Sequence, residues 1–143
     1  MTKPLYLDYS ILLLWFLDLN PAYTKIALEL RNRYVSREIT LLTGPISILR
    51  VVEYLKKQSF FKEKDLSEIL KSLIDLELVA EGSGPDGLAK ALEISYKTGL
   101  DLMSSCEVSE CIRRDARFIT MEEDAFQKAR STVDASLIKD VKI

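Results

Sequence analysis

The sequence predicts an α/β domain built on a central, mainly parallel sheet. Three observations predict it. Short apolar runs of strand length recur along the chain. Between them lie longer stretches whose apolar residues return at i+3 or i+4, the period of a helix. Gly, Pro or a capping polar residue punctuates most changes from one kind to the other. Strands alternating with helices pair in parallel through helical crossovers. At 143 residues the chain reads as one domain (residues 1–143) with a real core.

The elements follow in order. Pro4 to Asp8 is the first strand, an apolar run closed by an acid. Ile11 to Leu17 is the first helix. Asn20-Pro21 restarts a helix to about Val35, with Pro21 in its first turn and Ile26, Leu30 and Tyr34 at i+4. Glu38 to Thr43 is a short strand, broken by Gly44-Pro45. A helix near Ser47 to Lys57 carries Ile48, Val51, Val52 and Leu55 on one face, with Glu53 at its edge. Ser59-Phe60-Phe61 is a connection, and Asp65 caps a helix from Leu66 to about Leu73. Ile74 to Glu81 reads as a strand and Gly82-Ser83-Gly84 as a loop. Pro85-Asp86 opens a helix that ends before Gly99. Asp101 is the N-cap of a helix from Leu102 to Arg114. Arg117 to Thr120 is a strand, Glu122 to Ala129 a helix, and Leu137 to Ile143 alternates as a last strand.

Composition narrows the chemistry. The chain is 48% hydrophobic and 29% charged, with a net charge of -2, which is ordinary for a soluble globular protein. That balance argues against a strongly basic nucleic-acid binder, though not against an enzyme that touches a few phosphates locally. There is no histidine, which removes Ser-His-Asp and Cys-His catalysis and any His-ligated zinc site. Cys106 and Cys111 stand roughly 140° apart around a predicted helix, which argues against a disulfide between them. They point to a reducing, cytoplasmic setting. The apolar run Ile11–Leu17 is far short of the roughly 20 residues that span a membrane. With Asp8 inside it and no cleavage site after it, the N-terminal stretch does not read as a signal peptide.

The acids carry the functional signal. Asp8 ends the first strand, and the carboxyl ends of strands are where open α/β sheets bind ligands. Burying an acid there is costly without a partner. Glu53 lies on the helix after the second strand. Asp101 and Glu107 flank the start of the helix before "RFIT", and Glu122 follows that strand. Carboxylates gathered in one cleft raise each other's pKa, and a divalent ion relieves the repulsion. With no His and no CxxC, an oxygen-only site for Mg²⁺ or Mn²⁺ is the metal site this sequence can build.

The order of these features resembles the PIN-domain family, and within it the small VapC-like toxins. "LYLDYSILLLWFL" resembles the family's opening strand, Asp, small polar residue and helix, matched by Asp8 and Ser10. "LLTGPISILRVVEYLKK" resembles the second strand and the glutamate-bearing helix, matched by Glu53. "KALEISYKTGLDLMSSCEVSECIRRDARFIT" resembles the later helix pair and strand, with Gly99, Ala116 and Thr120 in register. Two positions depart. Ser104 stands where the family has an Asp, and Glu122 where it has another. A one-residue slip puts Glu123 at the second position instead, and Asp124 is also near. Glu107, one turn from Ser104, faces the same side.

The resemblance implies a three-layer sandwich and metal-dependent hydrolysis of RNA phosphodiesters. Asp8, Glu53 and Glu122 would be the catalytic ligands of Mg²⁺ or Mn²⁺, with Glu107 a further candidate ligand. Ser10, Ser104 and Thr120 would support them. Arg50, Lys56, Lys57, Arg113 and Arg114 are candidate RNA contacts. The family also implies a homodimer and a small antitoxin partner. The loss of the Asp at Ser104 supports an alternative: a catalytically weakened PIN-like domain that binds nucleic acid or protein.

Overall fold

The structure, a computed structural model, describes residues 3–82 and 84–142. Ser83 of the predicted loop and Ile143 of the predicted last strand lie outside the described residues. The elements are β1 (Leu5–Leu7), α1 (Tyr9–Leu13), α2 (Pro21–Val35), β2 (Leu41–Leu42), α3 (Pro45–Lys56) and α4 (Glu63–Asp75). There follow α5 (Gly84–Thr98), α6 (Leu102–Arg113), β3 (Arg117–Thr120), α7 (Glu123–Ala129), β4 (Ala135–Leu137) and a 3₁₀ turn (Ile138–Asp140). The four strands form one parallel sheet in the order β2-β1-β3-β4. Helices cover both faces, which gives the three-layer sandwich.

Strand alternation divides the core. Leu7 and Ile119 face one layer, with Ile11, Leu12, Val51, Leu55 and Leu73. Tyr6 and Phe118 face the other, with Ile94, Val108, Cys111 and Ala129. Their rings stack at 6.4 Å between centroids. Successive strand residues point to opposite faces, so two short strands feed two cores.

Local chemistry explains the helix starts. The Asn20 side chain accepts the Tyr23 N–H at 3.2 Å, and Pro21 sits where no N–H is needed. Asp101 caps α6 by accepting the Ser104 N–H at 2.7 Å. Gly44 precedes α3 because a Cβ there would stand 1.5 Å from the Glu110 carboxylate and 2.7 Å from the Tyr6 hydroxyl.

Two predicted strands differ. The run Ile74–Glu81 begins as the end of α4, at Ile74 and Asp75, because the helical period set by Leu66, Ile69 and Leu73 continues into it, and then turns out of the helix. The helix stops before Glu77, which takes a left-handed conformation at φ 59°. Only a bridge between Val79 and Thr43 remains of the strand. The last strand lies earlier than predicted, at Ala135–Leu137, because these residues pair with Phe118–Thr120, and the chain then turns at Ile138. Among the described residues, no helix is long and apolar enough to cross a membrane.

Candidate active site at the carboxyl end of the sheet

β1 and β3 are neighbours, yet the chain leaves them in opposite directions. From β1 it runs to β2 on one side, and from β3 to β4 on the other. This is a topological switch point, where a crevice opens beyond the strand ends. Asp8 lies there. Its N–H continues the ladder to the Ile119 carbonyl at 3.1 Å, and its side chain caps α1.

Asp8 is 2% exposed. Its Oδ1 accepts the Ser10 hydroxyl at 2.5 Å, the Ser10 N–H at 3.0 Å and the Ile11 N–H at 3.3 Å. Ser10 Oγ in turn accepts the Met121 N–H at 2.9 Å and lies 3.3 Å from Thr120 Oγ1. Thr120 Oγ1 accepts the Glu122 N–H at 3.1 Å. Two hydroxyls therefore tie the end of β1 to the end of β3. Burial pushes the Asp8 carboxyl up to about 6, with the Glu122 charge adding to it and the Ser10, Thr120 and Ile11 hydrogen bonds opposing.

Glu122 is the half-buried N-cap residue of α7, whereas Glu123 and Asp124 are exposed. Glu123 accepts from Gln127 and Asp124 pairs with Lys128. Of the acids after β3, Glu122 is therefore the one beside Asp8.

Glu107 is fully buried on α6. Its Oε2 accepts the Ser47 hydroxyl at 2.6 Å and the Tyr9 N–H at 2.8 Å, and its Oε1 pairs with the Arg50 guanidinium. Arg50 also donates to Ser104 Oγ at 3.1 Å and stacks on the Tyr9 ring at 3.8 Å. Burial lifts the Glu107 carboxyl to about 8, Asp8 adds to the rise, and Arg50 opposes it. Burial likewise raises the Tyr9 phenol, with Glu122 adding to it.

The expected four-acid cluster needs correction. Glu53 is exposed and faces Lys57 at 3.9 Å. It lines the rim of a cleft of about 590 Å³ with Tyr9, Arg50, Lys56, Lys57 and Met103. Hydration favours its charge at the helix edge, and no buried cation among the described residues draws it in. Among the described residues, no three metal-ligating side chains stand close enough to share an ion. Glu107 is spent on Arg50, Ser47 and Tyr9. Asp8 and Glu122 remain, an oxygen-only pair with no ion-pair partner among the described residues. Mg²⁺ takes one or two protein carboxylates and completes its octahedron with water and phosphate, so this pair fits one such ion.

Arg113 and Arg114 lie away from Asp8, at the C-terminal end of α6. Both donate to the Glu81 carbonyl. The nine steps along α6 from Ser104 to Arg113 rise about 14 Å, so Arg113 lies at the far end of the helix from Ser104. Ser47, Tyr9 and a buried Tyr6–Glu110 bond of 3.0 Å went unread in the sequence. The available signal was the run Ser104-Ser105-Cys106-Glu107, small polar residues around an acid on a helix that packs against two others.

No protein-family model matches the chain, and no curated protein matches its sequence. Solved structures do match. The crystal structure of PAE2754 from Pyrobaculum aerophilum superposes with a TM-score of 0.64 at 16% identity, over 96% of this chain and 85% of that one. A structure of FitAB bound to the IR36 DNA fragment superposes with a TM-score of 0.70 at 10% identity, over 97% and 98%. At such identities the likeness concerns the fold, and the fold is PIN-like.

Proposed function

We propose that this chain is a metal-dependent ribonuclease of the VapC-like toxin type, which hydrolyses RNA phosphodiester bonds. One observation carries the reading. A carboxylate buried at the switch point, Asp8, feels the charge of a second carboxylate, Glu122, and neither has an ion-pair partner among the described residues. Asp8 and Glu122 would hold Mg²⁺ or Mn²⁺. When bound, the ion lowers the pKa of a hydrolytic water and neutralises charge on the phosphodiester. Ser10 and Thr120 hold Asp8 in one orientation. Tyr9 and the rim cations Lys56 and Lys57 line the approach, where a phosphate chain meets positive charge.

The same reading includes a second copy of the chain and a small antitoxin as partners. The exposed Leu49 and Met103, which line one cleft between α3 and α6, support association there, since adjoining exposed apolar residues mark interaction surfaces.

The test is Asp8→Asn. It abolishes Mn²⁺-dependent cleavage of single-stranded RNA and leaves the circular dichroism spectrum unchanged. An equally active variant would refute the assignment. Preferential cleavage of flap DNA would move the substrate to DNA.

A second reading has its own observation. Arg50 neutralises Glu107, Ser104 replaces an acid and Glu53 faces Lys57, which together describe a binding module with weakened catalysis. No heat of binding at millimolar Mn²⁺ in a calorimetric titration would favour it.

A further inference from the structure

A cavity of about 500 Å³ opens at the amino end of the sheet, among the starts of β1 and β3, helix α2 and the turn after β4. Pockets of this volume take one small molecule. Leu5, Leu30 and Ile39 give it an apolar wall. Leu30 belongs to the larger core, and Leu5 and Ile39 pack against it. Asp8 lies beyond the opposite, carboxyl end of the same parallel strands, so this cavity is separate from the crevice at the switch point.

The cavity has a sign. Lys3, Arg33, Arg117 and Lys142 line it, with Asp140 as the lining acid. Four cations against one acid leave its walls at +3, in a chain whose net charge is -2. Three of the cations hold acids that do not line the cavity. Lys3 lies 3.5 Å from Asp115 and 3.7 Å from Asp134, Arg117 lies 3.0 Å from Asp134, and Arg33 lies 3.1 Å from Glu29. Those three cations are 35–48% exposed. Ion pairs so open to water are weak, so an incoming dianion competes for the same donors. A guanidinium offers a planar fork of N–H groups that matches a phosphate. The aliphatic wall offers a surface to a base, and a carboxylate such as Asp140 accepts from sugar hydroxyls.

We propose that this cavity binds a free nucleoside 5′-monophosphate. Arg33 and Arg117 meet the phosphate, Leu5, Leu30 and Ile39 receive the base, and Asp140 accepts from the ribose. Walls at +3 suit a phosphate dianion better than a single carboxylate, and inorganic phosphate would leave the apolar wall unused. The proposal stands apart from the metal-dependent reading, since it uses none of Asp8, Ser10, Thr120 and Glu122.

The test is isothermal titration of the full chain with AMP, GMP, CMP and UMP in EDTA, which keeps divalent ions off Asp8 and Glu122. At least one of them binds once per chain, more tightly than its nucleoside or inorganic phosphate, and more weakly as salt rises. Arg33→Gln and Arg117→Gln change exposed side chains and leave the fold intact. Each weakens binding about tenfold or more, as the loss of a charged hydrogen bond does. Lys56→Gln/Lys57→Gln, on the rim of the cleft beside α3, keeps the wild-type affinity. Binding by none of the nucleotides overturns the proposal, and so does wild-type affinity in Arg33→Gln/Arg117→Gln. Inorganic phosphate that binds as tightly as the nucleotide overturns it as well. A loss of affinity in Lys56→Gln/Lys57→Gln moves the nucleotide to the other cleft and likewise overturns it. Each of these results leaves the metal-dependent reading standing.

Discussion

Asp8→Asn has a second consequence, which concerns stability. The Asp8 carboxyl rises from 3.8 to about 6 on folding, chiefly through burial. A raised carboxyl means that the folded state holds its proton more tightly than the unfolded chain does. The stability that this proton brings is full below about pH 4 and is lost as pH rises through 6. Two units correspond to about 3 kcal/mol. The side chain is 2% exposed, so solvent screens this little, and the figure is an upper value. Asn keeps an Oδ1 for Ser10 and Ile11 and carries no charge. It also removes the Asp8 charge that raises Glu107, which acts in the same direction. In EDTA at pH 7.5, Asp8→Asn therefore melts above the wild type. For 143 residues the rise is about 10 °C at most. The gap closes near pH 4. Mn²⁺ reverses the order, because only the wild type gains from binding. The assay is differential scanning calorimetry across pH, with and without metal. A variant that melts below the wild type at pH 7.5, or a gap independent of pH, would refute the reasoning.

Three further outcomes are expected. Gly44→Ala drives a Cβ into the Glu110 carboxylate and costs about 1–3 kcal/mol in urea unfolding; Glu110→Ala recovers part of that loss in a double-mutant cycle, and simple additivity would contradict the clash. Tyr6→Phe removes the donor to Glu110 at 3.0 Å and costs about 1–3 kcal/mol, whereas an unchanged midpoint would mean that Glu110 finds another donor. Leu49→Glu, at a residue 64% exposed, leaves the melting temperature unchanged and converts a dimer to a monomer in sedimentation velocity; a monomeric wild type would remove the dimer from the proposal.

Asp8 was legible because an acid closing an apolar run breaks the local pattern. Ser10 and Thr120 stand at positions that the resemblance to PIN-like sequences singled out, and the structure bonds Ser10 to Asp8 and sets it 3.3 Å from Thr120. The choice between Glu122 and Glu123 was not legible. It depends on where α7 begins, and the N-cap position turns Glu122 inward while the next two acids face solvent. The orientation of Glu53 was not legible for a related reason. Helical periodicity places a residue at the edge of an apolar arc, but the neighbours decide whether a long charged side chain turns inward or outward. Lys57, one turn on, lies on the outer side.

The sequence alone determined the class. Its alternation of strand and helix periods leads to a parallel sheet because crossovers leave few other arrangements. It also marked the strand end at which Asp8 lies, since burial of a charge is costly wherever it occurs. Tertiary structure decided which groups meet there. Arg50 and Glu107 lie on different helices, and their pairing depends on how α3 and α6 pack, which neither helix encodes locally. The same packing turned an expected ligand, Glu107, into the partner of a cation, and it set Arg113 and Arg114 against the Glu81 carbonyl.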